Sequence, residues 1–200
     1  MSPAADLPPR LRVPGSNLLR GFAPQAVTTV LLAAATASGQ QAAFRPELVE
    51  AELVERFTQF IDWPEDRLAA PEDPFILGLI GRDGVGPELE KLARARGLKK
   101  HRVEIVLLDG PEGVERCHAV WIATAGGDQL GAVLARTSGK PILTLGDTEG
   151  FAARGVLINL RREATRISFE INLGAVRRSG LKFSSRLLAL GKIVETREPP

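Results

Sequence analysis

Cysteine, histidine and tyrosine are the scarcest chemistry-bearing residues in this 200-residue chain, at one, two and none. The lone cysteine, Cys117, excludes an intrachain disulfide. His101 and His118 stand in neither H-E-x-x-H nor H-x-x-x-H spacing, so no metal ligand is expected. There is no G-x-S-x-G elbow. On one strand Cys117 and His118 would point to opposite faces, which denies the thiol a neighbouring base. No apolar run approaches the roughly 18 residues that a membrane-spanning helix needs. The expectation is therefore a chain with no catalytic residue, no cofactor and no metal, and one not embedded in a membrane.

The first 43 residues differ from the rest. Arg10, Arg12 and Arg20 precede the apolar run Ala26–Ala35, and small residues follow it. A positive start, a short apolar centre and small residues beyond form the pattern of a secretory signal. Ala35-Thr36-Ala37 supplies an A-x-A cleavage site, and Ala42 and Ala43 are alternative ends. Residues 1–43 are expected to be a signal peptide and leader, 44–192 an α/β domain, and 193–200 a disordered tail. Removing residues 1–37, with three Arg and one Asp, leaves 23 basic and 23 acidic residues. A neutral domain of that kind argues against nucleic acid as a partner, which calls for a net basic face. The basic run Leu92–Arg102 reads as a solvated helix end.

Apolar residues at helical spacing predict a helix from Pro46 to just before Trp63, since Pro64 forces Trp63 out of helical geometry. The continuous apolar run Pro74–Gly81 reads as a strand covered on both faces. Helices at Gly86–Gly97 and Gly127–Gly139 then alternate with strands at Arg102–Asp109, His118–Thr124 and Pro141–Asp147. That alternation predicts a mostly parallel sheet between helices. Gly155–Arg162 and Thr165–Asn172 are separated only by Glu163-Ala164, so they should pair antiparallel as a C-terminal hairpin. Two short helices follow. The fold class is α/β, a single domain with a mixed, mostly parallel sheet.

Asn172 lies between the last of these strands and a helix, where its side-chain oxygen can accept a free N–H of the first turn. It is expected to be a structural cap. Asp109, Asp128 and Asp147 sit at element ends and are also read as caps. "GRDGVGPEL" (Gly81–Leu89) occupies the place of a phosphate loop, but lacks the order G-x-G-x-x-G and a Lys-Ser or Lys-Thr pair. A small ligand or a partner could still use this turn or a cleft near Trp63. The contacts would then be Trp63, Arg82 and Asp83.

Five segments in register resemble the YfiR-like family of exported bacterial proteins. They are "RFTQFIDWP", "FILGLIGRDGVGPEL", "RCHAVWIA", "PILTLGDTEGFAARGVLINL" and "RISFEINLGAVRRSGLKFSSRLLAL". The resemblance implies a periplasmic α/β protein that is not an enzyme. It implies a homodimer that binds the periplasmic domain of a membrane diguanylate cyclase, or of another membrane sensor. Repression of the cyclase would lower cyclic di-GMP and with it biofilm growth. The alternative is a periplasmic small-molecule-binding protein. Cys117 matches a family cysteine, but the position of its implied disulfide partner carries Gly78. An intermolecular disulfide through Cys117 would require an exposed thiol.

Overall fold

The computed structural model describes residues 44–68, 70 and 72–196. The expected leader and its cleavage site, and residues 197–200 of the expected tail, lie outside them. The elements are α1 (Pro46–Gln59), β1 (Ile61–Asp62), β2 (Phe75–Ile80), α2 (Val85–Arg96), β3 (Val103–Leu108), β4 (Ala119–Ile122), α3 (Leu130–Thr137), β5 (Leu143–Gly146), α4 (Phe151–Arg154), β6 (Ile158–Arg162), β7 (Ile167–Asn172), α5 (Leu173–Ser179), β8 (Lys182–Phe183), α6 (Ser185–Leu190) and β9 (Lys192–Val194).

Seven strands form one sheet in the order β3-β2-β4-β5-β6-β7-β9. Neighbours from β3 to β6 are parallel, β6 and β7 pair antiparallel, and β9 adds parallel to β7. The expected α/β class holds, with its mostly parallel sheet, closing hairpin and two short C-terminal helices. β2 is apolar along its length because both faces are covered. Leu77 and Leu79 share one buried cluster with Val54 and Phe57 of α1 and Leu89 of α2, while Ile80 belongs to the other with Leu130 and Val133 of α3. Each such buried side chain contributes about 1.5–3 kcal/mol. The result is three layers, helix on sheet on helix.

Two expectations are corrected. The first helix stops at Gln59 rather than just before Trp63, because Ile61 and Asp62 pair antiparallel with Phe183 and Lys182. Ser184 N–H also donates to the Phe60 carbonyl at 2.9 Å, capturing a group that a further helical turn would have used. Residues 193 and 194, expected in the tail, belong to β9, since Lys192–Val194 pair with Glu170–Asn172. Ahead of β6, α4 is a single helical turn, closed by Gly155 at φ 118°, where a side chain would be strained.

Candidate docking surface and the two ends of the sheet

Asn172 does cap α5: its Oδ1 accepts from Ala175 N–H at 2.8 Å. Its Nδ2 also donates to the Ala152 carbonyl at 2.7 Å and to Thr196 Oγ1 at 2.9 Å. One fully buried amide therefore joins α4, α5 and the segment after β9. Only the first of these bonds was readable from local spacing.

At the amino ends of the parallel strands the buried side chains of His118 and Trp63 bond to backbone groups. The His118 Nδ1 accepts from Ile76 N–H at 2.9 Å, so Nε2 carries the proton and donates to the Arg67 carbonyl at 2.6 Å. Burial holds this imidazole below its ordinary pKa. Trp63 is largely buried: the residue is 8% exposed, its ring packs edge-on against Phe75, and its N–H donates to the His118 carbonyl at 3.1 Å. Trp63 borders a hollow of about 490 Å³ together with Asp62, Glu65, Asp66 and Lys182. Cys117 is fully buried, with its thiol pushed up to about 11 by desolvation. It meets no condition for an intermolecular disulfide. A Cβ built on Gly78 would lie 2.9 Å from the Cys117 Sγ, so the two positions are true neighbours.

The carboxyl ends are built from charge. Glu50 of α1 is fully buried and receives the Arg162 guanidinium through two bonds, at 2.7 and 2.6 Å. The same guanidinium reaches Glu47 at 3.1 Å and Asp147 at 3.6 Å. Burial pushes Glu50 up and Arg162 opposes it; the carboxylates in turn raise Arg162. Asp147 is also raised, first by burial and then by the charge of Asp83. Asp147 is therefore a member of this cluster, held also by Thr124 Oγ1 at 3.4 Å, rather than the simple cap expected. The cluster was missed from sequence. Its one signal was Glu50 itself, which lies on the buried stripe of α1 with Ala51, Val54 and Phe57.

Asp83 is committed internally. Its Oδ1 accepts from Val85 and Gly86 N–H at 2.9 and 3.0 Å, holding the start of α2, and its Oδ2 accepts from the Trp121 indole at 2.7 Å. Arg82 next to it is exposed. Both line a hollow of about 160 Å³ with Leu79, Glu90, Leu107 and Trp121. That is below the roughly 300 Å³ at which small-molecule sites begin. The three expected contacts are thus dispersed: Trp63 at the amino end, Asp83 tied into a helix start, and Arg82 alone presented to solvent.

Among the described residues no group of three or more His, Cys, Asp or Glu is placed to hold a metal ion. No helix among them is long and apolar enough to cross a membrane. The fold and its ends define a three-layer α/β domain whose buried polar residues serve its architecture. The chain belongs to the YfiR/HmsC-like family (DUF4154), whose model matches residues 47–192. None of the curated proteins matches it. Among solved structures, a conserved domain protein from Vibrio cholerae is similar at TM-score 0.51 and 11% identity, over 74% of this chain and 60% of that one. The ABC domain from Streptococcus pneumoniae, solved with L-Trp, is similar at TM-score 0.52 and 12% identity, over the same shares of each chain. At such identities the likeness concerns the fold alone.

Proposed function

We propose that this chain is an exported, non-enzymatic regulator that acts in the periplasm by binding the extracytoplasmic domain of an inner-membrane protein. The partner is a diguanylate cyclase, and binding represses it and lowers cyclic di-GMP. The observation that carries this reading is the family match across residues 47–192, nearly the whole described domain. The signal-like pattern of residues 1–43 and the equal basic and acidic counts beyond residue 37 support it. Regulation by docking asks for a stable scaffold with an exposed contact. Arg82 is that contact: an exposed cation on the loop after a central strand, anchored by the capping Asp83 beside it.

The test is capture of the processed protein by purified ectodomains of membrane diguanylate cyclases from the same genome, alongside cyclic di-GMP measurement after gene deletion. The reading expects one ectodomain to be retained, retention to fall with Arg82→Glu, and cyclic di-GMP to rise on deletion. Absence of capture together with an unchanged cyclic di-GMP level would remove it.

A further inference from the structure

Where α3, α4 and α5 meet, the surface opens into a cleft of about 320 Å³. That is just above the roughly 300 Å³ at which small-molecule sites begin. Its floor is apolar, made by Leu134, Ala135, Leu157 and Ala175. Its charged groups are of one sign: Arg154 at the end of α4 and Arg178 in the last turn of α5. The other hollows are mixed or acidic. That beside Trp63 carries Asp62, Glu65 and Asp66, that beside Arg82 carries Asp83 and Glu90, and the groove along β3 carries Glu90. No carboxylate lines the cleft between the helices.

Both guanidinium groups keep donors to spare. Arg154 stands over the Phe151 ring at 5.8 Å and makes no side-chain hydrogen bond among the described residues. Arg178 Nη2 donates to Thr196 Oγ1 at 3.4 Å, and the same hydroxyl accepts from Nδ2 of the fully buried Asn172 at 2.9 Å. One corner of Arg178 is thereby tied to the interior, while most of its five N–H groups stay open. Neither arginine forms an ion pair among the described residues. Glu195 Oε2 and Arg178 Nη1 would each lie 3.4 Å from a Cβ built on Gly174, yet Glu195 does not line the cleft. Service to the helix poles does not account for the pair. α4 and α5 have only four and seven residues, and Arg177 already stands at the same pole of α5, outside the cleft.

We propose that this cleft binds a small dianion on a short apolar body, a phosphate monoester or a dicarboxylate. Two positive charges with no acid between them match two negative ones. A planar guanidinium takes a phosphate or carboxylate edge through two parallel hydrogen bonds. Ser138, exposed beyond the end of α3, adds a hydroxyl to the rim, and the apolar floor receives the carbon skeleton. This inference stands apart from the regulator reading, which rests on the family match and Arg82, and either can fail alone.

The test is isothermal titration of the purified full chain with phenyl phosphate, succinate and inorganic phosphate at physiological salt. Phenyl phosphate or succinate should bind more tightly than inorganic phosphate, because only they reach the apolar floor, and the tighter of the two names the source of the dianion. Arg154→Met and Arg178→Met should each weaken that binding about 10-fold or more, since each removes a charged hydrogen-bond donor. Arg177→Met, outside the cleft, should leave it unchanged. Four results would each overturn the proposal: no binding of any probe at millimolar concentration, inorganic phosphate bound as tightly as the others, indifference to Arg154→Met and Arg178→Met, or an equal loss in Arg177→Met.

Discussion

The two ends of the parallel strands solve the same problem, buried polar residues, by opposite means. At the amino ends, His118, Trp63 and Asn172 are neutral and bond mostly to backbone groups. At the carboxyl ends, Glu50, Asp147, Glu47 and Arg162 answer one another as charges. Neutral pairing makes a seal whose strength depends little on its surroundings. Charge pairing costs desolvation on both sides and is sound only while every partner is present. The amino end is thus fixed architecture, and the carboxyl end is where substitutions and pH should be felt most.

The largest expected effect lies at the charged end. Arg162→Met leaves Glu50 buried without its partner and should lower stability by about 3 kcal/mol, between the limits for exposed and fully buried pairs. Urea unfolding measures it. A shift no larger than that of an exposed pair, such as one broken by Arg94→Ala, would erase the contrast. At the neutral end, Gly78→Cys should bond to Cys117 under oxidising conditions. Closing a loop of about forty residues, with some crowding of Leu108, should add about 2 kcal/mol that reductant removes. Melting with and without reductant is the check, and the parent protein should show no difference.

Asn172→Ala should cost about 1.5 kcal/mol, through the lost cap and the stranded Ala152 carbonyl. The loss should be the same in high salt, whereas that of Arg162→Met should shrink. The smallest effects are in pH, and they run in opposite directions. The lowered pKa of His118 means that its contribution is present above its unfolded value of about 6.5 and is lost as pH falls through the folded value. The raised pKa of Asp147 means that its contribution is full in acid and is lost as pH rises through the folded value. Asp147→Asn should therefore stabilise slightly at neutral pH and not in acid, while His118→Asn should flatten the decline below about pH 6.5. Melting curves across pH read both, and parallel curves would show that the two ends titrate alike.

Much of the fold was legible because its signals are local. The apolar run of β2, the alternation of β7, Pro46 opening α1 and the short turn at Glu163-Ala164 each declare an element from a few adjacent residues. What was not legible depends on distant partners. The pairing of Ile61 with Phe183 and of Lys192 with Glu170 leaves no local mark, so a helix was extended and a strand read as tail. The site followed the same rule. Asn172 as a cap is a three-residue relation and was readable, whereas Glu50 with Arg162 spans 112 positions and was not. The extent of Trp63's burial was not legible either, because an aromatic before a proline says nothing about what will pack on it.

That long span also orders events along a growing chain. Glu50 has no guanidinium to meet until residue 162 exists, and Ile61 has no strand to join until residue 183 does. The polar latch of α1 is thus among the last contacts to close, while its apolar stripe can pack with α2 and β2 early. Closing such distant contacts is slow in proportion to the loop that must be gathered. Until its final third has emerged, the polypeptide keeps these two latches of α1 and β1 open.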